Sequence, residues 1–151
     1  MLDFKAVLKR LEDSVKFQTY LKKNPDAYLT NAIYLEEWQV NYFSPKTELI
    51  TIFKVDKKIT SKTVAEKRKF PKLNTNLKID LKEALKILKK QISKFYSSET
   101  FTKTIIILQQ SQEPEWNITQ LSSSIKILNI KISAISGKIT YESYDKLIDM
   151  K

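Results

Sequence analysis

Two stretches decide how this chain folds: "EEWQVNYFSPKTELITIFKV" (36–55) and "EPEWNITQLSSSIKILNIKI" (113–132). At a single offset of 78, Trp38 falls on Trp116, Val40 on Ile118, Ser44 on Ser122, Leu49 on Ile127 and Ile52 on Ile130. A small gap then brings "KIT" (58–60) onto "KIT" (138–140). Self-similarity of this kind marks a duplicated structural unit. Both stretches are rich in Tyr, Ile, Val, Thr and Phe, side chains that suit a pleated surface. "SPKTE" (44–48) and "SSS" (122–124) interrupt them as turns.

Ahead of each stretch lies a helical pattern. Residues 3–23 carry Phe4, Val7, Leu8, Leu11 and Val15 at i, i+3, i+4 and i+7 spacing, which predicts one amphipathic helix. Pro25 ends it by disfavouring α geometry at Asn24. Strands are expected near 28–35, 38–44 and 48–56, followed by an extended piece near 59–65. "AEKRKFPKLNTNLK" (65–78) reads as a polar, basic connector. A second helix follows, N-capped by Asp80 with Glu83 at capping-box spacing. Its apolar stripe is Leu81, Ala84, Leu85, Leu88, Ile92 and Phe95. Strands are then expected in "TFTKTIIILQQ" (100–110), "WNITQLS" (116–122), "IKILNIKISA" (125–134) and "KITYES" (138–143), with "YDKLIDMK" (144–151) as a terminal helix or tail. The pattern predicts an α+β fold of two αβββ units, an antiparallel sheet with two amphipathic helices packed on one face. The units are placed at 1–64 and 79–151, joined by the basic connector 65–78.

Composition narrows the chemistry. The 151 residues include no Cys and no His. Thiolate chemistry and Cys-ligated zinc are therefore excluded, and the usual proton carrier near neutral pH is missing. The sequence points away from an enzyme and toward no cofactor and no metal. The net charge is +10, carried by 25 Lys and only Arg10 and Arg68. Arg is the residue suited to bidentate phosphate and base recognition. An AT-rich coding bias toward Lys and Ile, and away from Gly, accounts for much of this balance. Charges interrupt residues 1–17 every few positions, unlike the apolar core of a signal peptide, and no run is long enough to span a membrane. A cytoplasmic protein is the expectation.

The repeated unit resembles the PepSY domain family and its archaeal-type relatives. The residues that carry the likeness are Trp116 and the hairpin Ser133-Ala134-Ile135-Ser136-Gly137-Lys138-Ile139. The family has Asp-Ala-x-Thr-Gly-x-Ile at this point. Ser133 replaces the acid, and the first half keeps Asp56 but lacks the glycine. The resemblance implies a non-catalytic fold used in protein interaction, in some members to restrain peptidases. It implies no catalytic residue.

Three groups of residues merit attention. Trp38, Trp116 and Gly137 are read as structural anchors, the two Trp as buried aromatics and Gly137 as the φ > 0 residue of the last turn, where a Cβ would clash. The run Lys67, Arg68, Lys69, Phe70 and Lys72 could track an anionic backbone and stack a base, and Lys82, Lys86, Lys89, Lys90 and Lys94 form a basic helix face. Glu36 and Glu37, and Glu113 and Glu115, are carboxylate pairs assigned to turns. The leading functional expectation is a module that binds a protein partner. The alternative is a nucleic-acid-associated protein, and a homodimer through an exposed sheet edge fits either.

Overall fold

The computed structural model describes residues 3–147. Its elements in chain order are α1 (Phe4–Glu12), α2 (Val15–Lys23), β1 (Tyr28–Leu35), β2 (Glu37–Ser44), β3 (Leu49–Val55), β4 (Ile59–Ala65), α3 (Leu81–Phe95), β5 (Phe101–Gln110), β6 (Pro114–Ser122), β7 (Lys126–Ser133) and β8 (Ile139–Lys146). All eight strands form one antiparallel sheet in the order β4-β3-β2-β1-β5-β6-β7-β8. This corrects the expectation of two αβββ units carrying two helices. Each half contributes four strands, the described residues form three helices, and β1 pairs with β5 to join the halves without a break. The residues 144–146, expected in a helix or tail, continue β8; 148–151 lie outside the described residues.

The expected helix over 3–23 is two helices. Ser14 breaks it by competing with the backbone: its Oγ accepts from Phe17 N at 3.2 Å and donates to Leu11 O at 2.6 Å. The break rotates Val15 away from the core, where it is 78% exposed, and the apolar side resumes at Phe17. In contrast, Asp80 caps α3, accepting from Glu83 N at 2.9 Å.

Alternate strand positions point to the helices and form one buried cluster with them. From the strands come Ala32, Trp38, Val40, Tyr42, Phe53 and Val55, then Ile106, Leu108, Trp116, Ile118, Leu128, Ile130 and Ile132. From the helices come Phe4, Val7, Leu11, Phe17, Leu81, Ala84 and Leu88. The other strand positions face away, and no described helix covers them.

The pairing registers relate the halves by a pseudo-twofold axis between β1 and β5. Trp38 lies beside Tyr34, and Trp116 lies beside Leu108. The offset of 78 holds only as far as Ser122, however. The first hairpin pairs Ser44 with Leu49 across 45–48, whereas the second pairs Leu121 with Ile127, which leaves only 123–125 as loop. The second loop is one residue shorter. Ile130 therefore corresponds to Phe53 and not to Ile52: Val40 pairs with Phe53, and Ile118 with Ile130. A one-residue slip moves a side chain to the opposite face. The "KIT" match does fall in place, since Val55 pairs with Ile59 and Ile132 with Ile139.

A carboxylate just ahead of the first strand ties the next hairpin in each half. Asp26 accepts from Ser44 Oγ at 2.9 Å and from Lys46 N at 2.8 Å. Glu99 accepts from Ser124 Oγ at 2.7 Å and pairs with Lys126 Nζ at 3.5 Å. The matched serines cap the same loops, with Ser44 Oγ accepting from Thr47 N and Ser122 Oγ from Lys126 N.

Candidate functional site

The face of the sheet opposite the helices is covered by no described helix. Cross-strand pairing sets Ile52, Asn41, Asn31 and Gln109 in one row and Gln39, Ile33, Ile107 and Asn117 in the next, with Ile105, Thr119 and Asn129 beyond. These eleven positions are half-buried or, for Asn41, buried. None of them is charged, in a chain whose charged fraction is 29%. Lysines stand at the rim: Lys54, which pairs with Glu37 at 3.1 Å, Lys62, Lys103 and Lys131.

The amides across this face bond to one another. Asn41 Nδ2 donates to Asn31 Oδ1 at 2.6 Å, and Asn129 Nδ2 donates to Asn117 Oδ1 at 2.7 Å and to Thr119 Oγ1 at 3.0 Å. Asn41 Oδ1 is buried without a hydrogen-bond partner. An unmet buried acceptor carries a desolvation cost.

At one corner the sheet opens into a polar cleft of about 450 Å3, lined by Glu113, Glu115, Lys131, Ser133, Thr140 and Tyr141 among others. Glu115 corrects the turn assignment made from the sequence. It belongs to β6, is 8% exposed, and accepts from Gln109 Nε2 at 2.7 Å. Glu113 does lie in the loop and accepts from Ser133 Oγ at 2.5 Å. Glu36 forms the β1–β2 turn at φ 68°, whereas Glu37, also assigned to that turn, is the first residue of β2. Lys131 Nζ sits 4.9 Å from the centre of the Tyr141 ring.

The candidate residues from the sequence fall in separate places. Trp38 and Trp116 are both buried, at 2% and 0% exposure, so neither offers a ring face to a ligand. Trp38 packs on Phe4 and Tyr34 with ring centres 5.7 and 5.2 Å apart. Trp116 Nε1 donates to Ile79 O at 2.9 Å. Gly137 has φ 77°. A Cβ there would meet Ile79 and Ile87 at 3.4 Å, an ordinary to tight contact, so the need for glycine is mainly conformational and the expected clash is mild.

The two basic groups are split between the halves. The connector starts on the first half, where Glu66 N donates to Glu48 O. Arg68 turns back to Glu66, with Nε 2.9 Å from Oε1, which also holds the Glu66 carboxyl below its ordinary range. Phe70 packs on Phe43 at 5.8 Å, its carbonyl accepts from Tyr28 Oη, and Arg68 lies 5.5 Å from its centre. The ring closes an aromatic cluster of the fold, while Lys67, Lys69 and Lys72 project into solvent. Leu73 and Leu77 then enter the helix-side core, so the connector rounds the end of the sheet. Lys82, Lys86 and Lys89 line a different groove of about 430 Å3, together with Asp3, Asp80, Leu81 and Leu85. Lys90 is exposed outside it.

The helix-free belt was not singled out in the sequence. Its signal was available: the outward positions of adjacent strands share uncharged amides and isoleucines, but only the pairing makes them contiguous.

No protein-family profile matches the chain, and no curated protein matches it. Among solved structures, the chain is similar to a candidate lipoprotein from Clostridium difficile 630, with a TM-score of 0.56 and 12% sequence identity over 86% of this chain and 90% of that one. This finding overturns the cytoplasmic expectation, because a lipoprotein is held at a membrane by its lipid. The expectation rested on charges spaced through residues 1–17, and from Asp3 on these belong to the capped, packed helices α1 and α2. Their spacing reports folding and says nothing about export. No described helix is long and apolar enough to cross a membrane.

Proposed function

We propose that the protein is a non-catalytic binding module working outside the cytoplasm, which receives a protein partner on the helix-free face of its sheet. The observation that carries this reading is the uncharged belt running from Ile52 to Asn129 across six strands. Charged residues are depleted at the centre of protein–protein interfaces and tolerated at the rim. A solvated sheet face in so highly charged a chain would carry Lys and Glu along it. This one carries them only at its margins. The resemblance to PepSY domains agrees with an interaction role, and the likeness to a candidate lipoprotein supports the location.

The reading is tested by placing a photo-crosslinking side chain at Gln39, at Asn117 and at Lys90 on the opposite side, then irradiating cells of the source organism. The expected result is one and the same cross-linked protein from Gln39 and Asn117, absent from Lys90, and lost when Ile107 is replaced by Glu in each of the two belt-labelled chains. Equal labelling from all three sites, or none from the two belt sites, would overturn it.

A further inference from the structure

The two ends of the sheet are not alike. At β8 the edge is guarded. Glu142 accepts from Tyr96 Oη and from Gln91 Nε2, tying α3 to the strand, and Asp145 and Lys146 add charge. At β4 the sequence is "ITSKTVA", every residue after Ile59 is exposed, and Lys62 is its one charge. Charges, covering elements and prolines are how proteins keep edges from pairing, and β4 has a single lysine.

The ladder fixes which groups of β4 are open. Glu66 N donates to Glu48 O, and Asp56 N to Lys58 O, both in the register that pairs Leu49 with Ala65. In an antiparallel ladder, hydrogen-bonded pairs alternate with non-bonded ones. Residues 60, 62, 64 and 66 therefore turn their backbone groups toward β3, and Ser61, Thr63 and Ala65 turn theirs outward.

We propose that β4 pairs with β4 of a second copy of this chain, about a twofold axis at Thr63, to make one sixteen-stranded sheet per dimer. In this register, Thr63 of each copy exchanges both backbone bonds with the other. Ser61 does the same with Ala65 of the second copy, so the outward groups of these three residues are satisfied. Lys62 stands opposite Val64 of the second copy on the helix-free face, which avoids setting two lysines directly across from one another. A twofold axis perpendicular to the sheet keeps both sets of helices on one side and extends the helix-free belt across the dimer. The internal junction of β1 with β5 is the same kind of antiparallel joining within one chain.

The test is sedimentation equilibrium on the full chain, whose mass is 17.7 kDa, and on three variants. The dimer is expected for the natural chain. Val64→Lys sets like charges opposite each other twice and weakens dimerisation, by on the order of 3–10-fold in Kd. Val64→Glu sets Glu opposite Lys62 twice and strengthens it by a similar factor. Val64 is exposed, so both variants fold. Thr63→Pro removes the outward N–H at the axis and gives a monomer, its melting curve reporting that the chain itself is intact. A natural chain that stays monomeric up to its solubility limit overturns the proposal. So does a dimer indifferent to both Val64 variants, which would place the contact elsewhere.

Discussion

The first half of the molecule fills its core with rings and the second with branched aliphatics, on the same strand topology. Around Phe53 stand Phe17, Tyr20 and Tyr42, with ring centres 5.4, 5.2 and 6.0 Å away. At the matching place in the second half, Ile130 lies among Ile118, Leu128 and Ile132, all fully buried. The helices differ accordingly. Two short helices, α1 and α2, present Phe4 and Phe17 to the sheet, whereas the longer α3 presents Leu81, Ala84 and Leu88. Small residues let a helix settle close; large rings bridge to a pair of helices with a break between them. The comparison teaches that topology and register are held by strand pairing, while the core accepts different side chains as long as volume and pattern are kept.

The sharpest way to break this comparison is to remove the ring at its centre. Phe53→Ala should cost about 3–5 kcal/mol in urea unfolding, because three neighbouring rings lose contacts and cannot collapse into the space. Ile130→Val, in the aliphatic half, should cost only about 0.5–1.5 kcal/mol. Comparable losses from the two would mean that the halves are packed alike after all. Between these lies Trp116→Phe, which keeps a ring but strands the carbonyl of Ile79, at about 1–3 kcal/mol. Trp38→Phe provides the counterpart in the ring-lined half, where the tilted ring contacts with Phe4 and Tyr34 survive in part.

Much of this was legible in the residues, and the failures have physical causes. Strand positions, the Asp80 cap and the φ > 0 residue Gly137 were readable because each rests on local chemistry. The register was not. Ile52 and Ile130 are the same residue type in the same alternating pattern, so only the length of the preceding loop distinguishes a match from a slip by one. β4 read as a vague extended piece because an edge strand with one paired side and almost no burial lacks alternation. The break at Ser14 hid inside an unbroken apolar period. The candidate binding face stayed invisible for a related reason: Asn31, Gln39, Asn117 and Asn129 look like ordinary solvent positions strand by strand, and become a surface only when the strands are laid side by side.

The hairpin loops offer a finer contrast. The last loop residue before β3 is Glu48 at φ 55°, and before β7 it is Ile125 at φ 59°. A β-branched residue is poorly suited to the left-handed region, and Ile125 is also 54% exposed. Glycine, used once in the chain, serves the following turn at Gly137. Ile125→Asn should therefore stabilise by about 1 kcal/mol, since the strain is relieved and no core contact is lost. Glu48→Asn should gain less, and Gly137→Ala should lose about 1 kcal/mol. Thermal melts of the three variants give the signs directly; a loss on Ile125→Asn would mean that the exposed isoleucine is held by a contact outside the monomer.

The smallest expected effect concerns the paired carboxylates, and it tests whether the halves share a device as well as a topology. Hydrogen bonding to Lys46 N and Ser44 holds the Asp26 carboxyl below its ordinary range. Ser124 does the same for Glu99, with help from Lys126. A carboxylate whose folded pKa is depressed contributes stability that is fully present above its unfolded pKa, and that contribution is lost as pH falls through the lowered value. Both groups lie near the surface, so water and salt screen part of the effect. Asp26→Asn and Glu99→Gln should each lower stability in the neutral region, where the contribution is present, and lower it least below about pH 4, where the contribution is already lost, so that the acid limb of the stability profile flattens. The double variant should flatten it by the sum, because the two sites sit in different halves and share no partner. If one variant flattens the limb and the other does not, the latch belongs to a single half, and the resemblance of the two hairpins ends at their serines.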